Sequence, residues 1–297
     1  MMETLHKVEL TRQLNRMKLL FPKEYSFYPK SWIVPEQFAE LSAHCSRSKS
    51  TDMFILKPDA GSQGEGIVLT NNPQAFCLDP SALTKPSVFQ VYIAEPHLIE
   101  KYKFDLRLYV VVKNIEPLEF YICREGLARF CTEHYQKPTI KNLHKSYMHL
   151  TNYSLNKHST NYVHSDADDS GSKRKVSSVF KLLKSQGWDV DKVWKGIDDV
   201  VCKTLIAVVP ALKLEMHIAT AGLKKQIQCF QILGFDILLD KKLNPYLLEV
   251  NSSPSLRIDY EEENSSGRTE LLLSTTDLEI KLPVITDSLK LICNDIR

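Results

Sequence analysis

The sequence predicts an α+β fold, and three observations carry that prediction. Two apolar runs near the C-terminal end, 234–240 and 246–251, flank a polar turn containing Asn244 and Pro245, which marks a β-hairpin. Further apolar runs at 53–56, 67–69, 88–93, 104–113 and 118–123 read as strands, the last two joined by a turn at 114–117. Segments 176–183 and 193–209 carry apolar residues at helical spacing and read as amphipathic helices.

In chain order, residues 1–20 form a helix with Leu10, Leu14, Met17 and Leu20 on one face. The stretch 21–35, rich in aromatics and proline, reads as an extended connector, and 36–43 as a short helix. The polar segment 46–52 is a loop before the buried strand at 53–56, and a glycine-rich loop then leads to the strand at 67–69. Residues 160–175 are polar, charged and nearly free of apolar side chains, so they read as a mobile loop. Residues 259–276, acidic and rich in Ser and Thr, read as a second one, and 280–296 as a closing helix. No internal repeat is evident.

The 297 residues are 43% hydrophobic and 25% charged, enough for a sizeable core in one large domain or two moderate ones. A net charge of +2 makes no bulk electrostatic case for nucleic acid. The seven cysteines are odd in number and include no C-x-x-C spacing, which argues for reduced thiols in the cytosol and against a disulfide framework or zinc knuckle. Glu3, Lys7 and Glu9 interrupt any secretory apolar run, and stretches such as 205–212 are too short to span a bilayer.

The C-terminal hairpin is the most informative stretch. Each of its runs carries an acid that an apolar strand normally excludes. With the turn centred between Lys242 and Leu243, Asp236 faces Glu249, and opposed side chains on one sheet face lie roughly 5 Å apart. Asn251, two residues on, projects from the same face as Glu249. All-oxygen ligands of this kind suit Mg²⁺ held together with phosphates, although acids on the wet face of a plain hairpin fit the same pattern.

Other groups gain meaning beside it. The loop Lys57-Pro58-Asp59-Ala60-Gly61-Ser62-Gln63-Gly64-Glu65-Gly66 lies between two strands, so its backbone N–H groups can approach phosphate, with Lys57 as a cation. It lacks a Walker A ending and a following helix, and a tight turn is the plainer reading. Lys103, Asp105 and Arg107 share one strand face, with Phe104, Leu106 and Leu108 on the other, which makes either a phosphate clamp or a solvated charge ladder. Arg129 is either a surface arginine or a carboxylate anchor. The run His149-Leu150-Thr151-Asn152-Tyr153-Ser154 is dense in hydrogen-bonding side chains, as a capped loop also is. Residues 171–175 form a basic cluster, either a solvated charge run or a docking point for an acidic ligand.

Taken in order, these motifs resemble the tubulin tyrosine ligase-like family of ATP-grasp ligases, and its polyglutamylase branch more than tubulin tyrosine ligase itself. The match runs from about Asn15 to the C-terminus. It rests on the lysine strand and glycine loop, Gln90-Val91-Tyr92-Ile93, Lys103-Phe104-Asp105-Leu106-Arg107, Gly126-Leu127-Ala128-Arg129-Phe130, 149–154, and Gly234-Phe235-Asp236 with 248–255. The resemblance implies an ATP-grasp fold with a central subdomain over 1–90, a C-terminal subdomain over 91–297 and the nucleotide between them. The family domain usually begins earlier, so its N-terminal subdomain is expected to be missing.

The resemblance also implies roles. Lys57, Gln63 and Gly64 would hold ATP phosphates, and Gln90, Val91, Tyr92 and Ile93 the adenine. Lys103, Phe104, Asp105, Thr151 and Asn152 would complete the nucleotide site. Asp236, Glu249 and Asn251 would hold Mg²⁺, with Arg107 and Glu249 as the catalytic pair. Arg129, Tyr153 and Lys173 would receive the incoming amino acid, and Lys281 would lie on the acceptor side. Two positions depart from the pattern: Glu65 stands where several glutamylases have a basic residue, and Ser252 where some members have histidine.

The implied reaction activates a side-chain carboxylate of a tubulin tail with ATP. An acylphosphate forms, and the α-amine of free L-glutamate expels phosphate to leave an isopeptide bond. The implied setting is a monomer in the cytoplasm, on the cytoskeleton and at the cilium or basal body, acting on tubulin tails or microtubules without nucleic acid or membrane insertion. A glycylase with the same chemistry, or an inactive fragment that binds tubulin tails, are the alternative readings.

Overall fold

Antiparallel strand pairing builds both of the sheets that define the molecule. The computed structural model describes residues 3–47, 52–61, 64–77, 85–165, 167–222, 229–263 and 268–293. After a short 3₁₀ turn come α1 (Lys7–Leu20), β1 (Ser31–Val34), α2 (Phe38–Arg47), β2 (Phe54–Pro58), β3 (Val68–Thr70), α3 (Pro73–Cys77) and β4 (Ser87–Val91). The four strands form one sheet in the order β1-β4-β2-β3. Then follow β5 (Leu98–Ile99), β6 (Tyr102–Ile115), β7 (Leu118–Phe130), α4 (Ser146–His149), α5 (Tyr153–Asn156), β8 (Lys173–Lys175), α6 (Val176–Ser185), α7 (Val190–Thr220), β9 (Gln231–Leu239) and β10 (Pro245–Asn251). Their sheet has the order β10-β9-β6-β7-β8, with β5 on β6. The chain ends in the pair β11 (Asp259–Glu263) and β12 (Thr269–Leu273), then α8 (Thr275–Cys293).

Strict alternation along β6 and β9 divides core from chemistry. Phe104, Leu106, Leu108, Val110 and Val112 of β6, with Leu233, Phe235, Ile237 and Leu239 of β9, enter one large core with α6 and α7. Burying each such side chain stabilises the fold by about 1.5–3 kcal/mol. The opposite face presents Lys103, Asp105, Arg107 and Tyr109 on β6, and Gly234 and Asp236 on β9. There Tyr109 and Leu127 pack against Ile280 and Val284 of α8. On the smaller sheet, Trp32, Val34, Phe54, Leu56 and Phe89 pack with Leu41 of α2.

Several elements differ from the sequence expectation. The connector at 21–35 contains β1, whose four residues are all buried. The helix beginning near 190 continues through Pro210 to Thr220, because Ala207, Val208 and Leu212 on either side of the proline are held in the core. The loop expected at 160–175 ends in β8, which pairs with β7, so the basic cluster is sheet edge. Arg174 there is buried, pairs with Glu100 at 2.7 and 3.0 Å and lies over the Phe130 ring. It is neither a solvated charge run nor a free docking point. The loop expected at 259–276 contains the β11–β12 pair and the start of α8.

The C-terminal hairpin also differs in detail. Next to the turn, Tyr246 opposes Leu238 and Leu247 opposes Ile237, one residue out of step with a turn centred between Lys242 and Leu243. A β-bulge between Leu247 and Glu249 then restores the expected pairing of Glu249 with Asp236. The turn is closed by Asp240, whose carboxylate accepts from Lys242 N at 2.8 Å and from Asn244 N and Nδ2 at 2.9 Å.

Gly126 sits opposite Leu108, where an added Cβ would collide with the Arg107 carbonyl oxygen. Gly126→Ala is expected to lower stability by about 2 kcal/mol, read as a lower urea midpoint at unchanged slope.

Candidate active site

Between the two sheets lies a cleft of about 600 Å³, continuous with a smaller pocket of about 60 Å³ through shared walls at Lys57, Arg129, Asn152, Leu248 and Glu249. Its size falls within the range of small-ligand sites. Lys57, near the end of β2, is buried and donates to Gln90 Oε1 at 2.8 Å and to the Leu248 carbonyl at 3.0 Å. Leu248 is the bulge residue, so the irregularity in β10 gives this carbonyl an acceptor role toward Lys57. Burial lowers the Lys57 ammonium to about 8, against the opposing pull of Glu249. Lys103 is buried likewise and donates to Tyr92 OH at 2.9 Å and the His149 carbonyl at 2.6 Å, and burial lowers it too to about 8. Both are desolvated cations facing a cavity that can admit an anion.

Across β6, β7 and β9 runs a buried ladder of charge. The Arg129 guanidinium grips Asp105, with Nε donating to Oδ1 at 2.8 Å, and Nη2 also donates to Asp236 Oδ2 at 2.7 Å. Arg107 holds Asp236 from the other side through Nε and through Nη2, the latter at 3.0 Å. Both arginines expected at the site, Arg107 and Arg129, lie on the cleft wall, each paired with carboxylates. Burial opposes ionisation of Asp236, but the two arginine charges outweigh it and hold the carboxyl below its usual range.

Glu249 faces Asp236 and is less well supplied. Asn251 Nδ2 reaches its Oε1 at 3.4 Å. Burial and the Asp236 charge raise its carboxyl above the usual value, with Lys57 opposing. Two facing carboxylates, one of them held above its usual range by the other's charge, are a place where a hard cation can relieve the repulsion. Asp236, Glu249 and the Asn251 amide fit such a cation with further oxygens from a ligand. Among the described residues no group of three His, Cys, Asp or Glu side chains forms a self-sufficient metal cage.

Beside this ladder, Lys173 and Lys281 share Asp277, the Lys281 contact being 2.7 Å, while Ser274 Oγ donates to the same carboxylate at 2.7 Å. The Lys173 ammonium lies over the Tyr153 ring, 4.8 Å from its centre. Register explains the proximity of Lys173 to Arg129, since β8 pairs with β7 at these two residues.

The remaining expected residues mostly converge. Val91, Tyr92, Ile93, Thr151 and Asn152 line the smaller pocket with Gln90. Gly64, at φ +90°, is close enough to Asn152 that a Cβ would press on its amide at 3.3 Å. Phe104 is the exception: it points into the core and stacks on Phe130, so it does not reach the pocket. Gln63 lies outside the described residues. Sequence reasoning missed Lys7, which lines the cleft and donates to the Gly61 carbonyl at 2.6 Å, and Asp277. The i,i+4 spacing of Asp277 and Lys281 on a helix was the available signal for the latter.

Two antiparallel sheets closing over a cleft lined by buried lysines, paired arginines and facing acids define a mixed α/β protein. The chain belongs to the tubulin-tyrosine ligase family, whose family model matches residues 1–274. It is 50% identical over 296 residues to tubulin polyglutamylase TTLL11 of Homo sapiens, covering 98% of this chain and 42% of that protein. It is 42% identical over 295 residues to tubulin polyglutamylase TTLL6 of Mus musculus, covering 98% of this chain and 33% of the relative. With tubulin polyglutamylase ttll-11 of Caenorhabditis elegans the identity is 41% over 307 residues, with 98% and 42% covered. The chain thus spans less than half the length of these relatives.

Two substitutions separate the acids of the hairpin by their physics. Glu249→Gln removes a like-charge cost and is expected to stabilise the chain at neutral pH. Because the folded value of Glu249 lies above 4.5, its own contribution is lost as pH rises past that point, so the gain in Tm grows with pH. Asp236→Asn leaves buried arginines short of charge and is expected to cost about 3–5 kcal/mol. Calorimetric melts between pH 4 and 8 measure both.

Proposed function

We propose that this chain carries an ATP-grasp ligase site that extends side-chain carboxylates of tubulin tails with glutamate. In this reading residues 1–90 form the central subdomain and 91–297 the C-terminal one, with ATP between them. The observation that carries it is the pair of desolvated cations, Lys57 and Lys103, facing the cleft beside the Asp236–Glu249 carboxylates. Buried lysines lowered to about 8 gain most from a polyanion, which restores the charged form that burial disfavours. The names of the relatives support the choice of tubulin and glutamate.

Each group has a defined task. Tyr92 and its neighbours wall the small pocket for an adenine ring, and Lys57 and Lys103 neutralise phosphate. Asp236, Glu249 and Asn251 would hold Mg²⁺, which supplies Lewis-acid charge and a template for phosphate oxygens. Arg107, at the cleft wall, exchanges part of its contact with Asp236 for the charge on the moving phosphoryl group. The acceptor carboxylate is activated as an acylphosphate, and the amine of glutamate displaces phosphate. Lys173 and Lys281 orient the incoming carboxylates. The chemistry needs no protein nucleophile, only position and charge. A monomer associated with the cytoskeleton fits this activity.

Three outcomes are expected. Glu249→Gln should abolish ATP-dependent incorporation of labelled glutamate into tubulin while keeping its fold; full activity would overturn the assignment. Labelled glycine incorporated in place of glutamate would redirect it to glycylation. Arg107→Ala should lose turnover more than Mg·ATP binding, the latter read as a thermal shift. Finally, Mg·ATP affinity should weaken as pH rises above about 8, where Lys57 and Lys103 lose their protons.

A further inference from the structure

The mouth of the cleft carries two cations that the ligase reading leaves unused. Arg257 and Lys157 line the cavity together with Lys281 and Tyr153, and the Arg257 carbonyl accepts from Lys281 Nζ. Both cations are engaged by β11. Arg257 Nε donates to Asp259 Oδ1 at 2.7 Å and Arg257 Nη1 lies 3.9 Å from Glu261 Oε1. Lys157 Nζ lies 3.4 Å from Glu261 Oε2. Asp259 and Glu261 are two residues apart on one strand, so their carboxylates project from the same face. An extended acidic chain therefore already occupies this mouth, and it is the protein's own.

Two features make that occupation exchangeable. The Arg257 and Glu261 side chains are 58% and 47% exposed, so solvent screens their contact. Among the described residues β11 and β12 pair only with each other, and a lone two-stranded hairpin is marginally stable.

We propose that Arg257 and Lys157 form the entrance subsite for an extended, glutamate-rich acceptor peptide, and that Asp259 and Glu261 hold this subsite as an intramolecular stand-in. The acceptor displaces the acidic strand by taking over the same two cations. This rests on the ligase reading, since it is an acceptor peptide that the mouth must admit.

The test is fluorescence anisotropy with a labelled ten-residue glutamate-rich peptide and no nucleotide. Glu261→Gln should tighten binding about fivefold, the scale of one screened charge pair. Arg257→Ala and Lys157→Ala should each weaken it by a similar factor and flatten its salt dependence. Glu40→Gln, an equal charge change on exposed α2, should leave binding as in the parent. The proposal is overturned if Glu261→Gln binds no more tightly than Glu40→Gln, if Arg257→Ala binds like the parent, or if inorganic triphosphate competes as well as the peptide. Thermal shift with Mg·ATP runs in parallel on every variant. A negative peptide result with that shift intact overturns the entrance subsite alone. Absence of the shift in the parent chain overturns the ligase reading and the proposal with it.

Discussion

The buried ladder Asp105–Arg129–Asp236–Arg107 is the interaction on which the rest of the site depends. Two of its contacts are cross-strand pairs in direct register, Asp105 with Arg129 and Arg107 with Asp236. The pleat of three strands thus delivers the geometry without help from loops. Two positive and two negative charges make the ladder neutral, which is what allows it to sit at 1–2% exposure for its carboxylates. Glu249 is the next charge along, and among the described residues no arginine pairs with it. Lys57 offsets the Glu249 charge only in part, so burial and Asp236 still raise this carboxyl.

The neighbouring group around Asp277 has the opposite imbalance. Lys173 and Lys281 share the single carboxylate of Asp277, so a surplus of positive charge faces the cavity. A carboxylate entering there completes the pairing. The cleft therefore carries two complementary imbalances of charge, a carboxylate short of a cation at Glu249 and two lysines on one carboxylate at Asp277.

Much of this was legible in the sequence because strand periodicity is simple. The alternation of Lys103, Asp105 and Arg107 against Phe104, Leu106 and Leu108 predicts the two faces of β6, and the same alternation moves Phe104 out of the pocket. The facing of Asp236 and Glu249 also followed from hairpin pairing, although from the wrong turn centre. What could not be read were features fixed by distant partners. β1 exists because β4 pairs with it, β8 because β7 offers an edge, and β11 because β12 returns beside it. Lys7 reaches the cleft only because α1 packs against the small sheet and lays its first turn beside Asp59 and Gly61. Segments of three to five residues are too short to show a periodicity that announces such pairings.

The irregularity at Leu248 behaves like a dislocation in a crystal row. On the turn side of it, Leu247 belongs to the core; one step beyond, the lattice is rephased, and Val250 is core while Glu249 and Asn251 face the cleft. Two strands that agreed perfectly from the turn onward would have set Leu248, an apolar side chain, against Asp236. The defect lets one short strand obey two phases, one chosen by packing and the other by chemistry. It follows that a length change of one residue in β10 would not merely shift the acid but exchange the inner and outer faces of everything after it, so the spacing of this strand is constrained more tightly than any single side chain upon it.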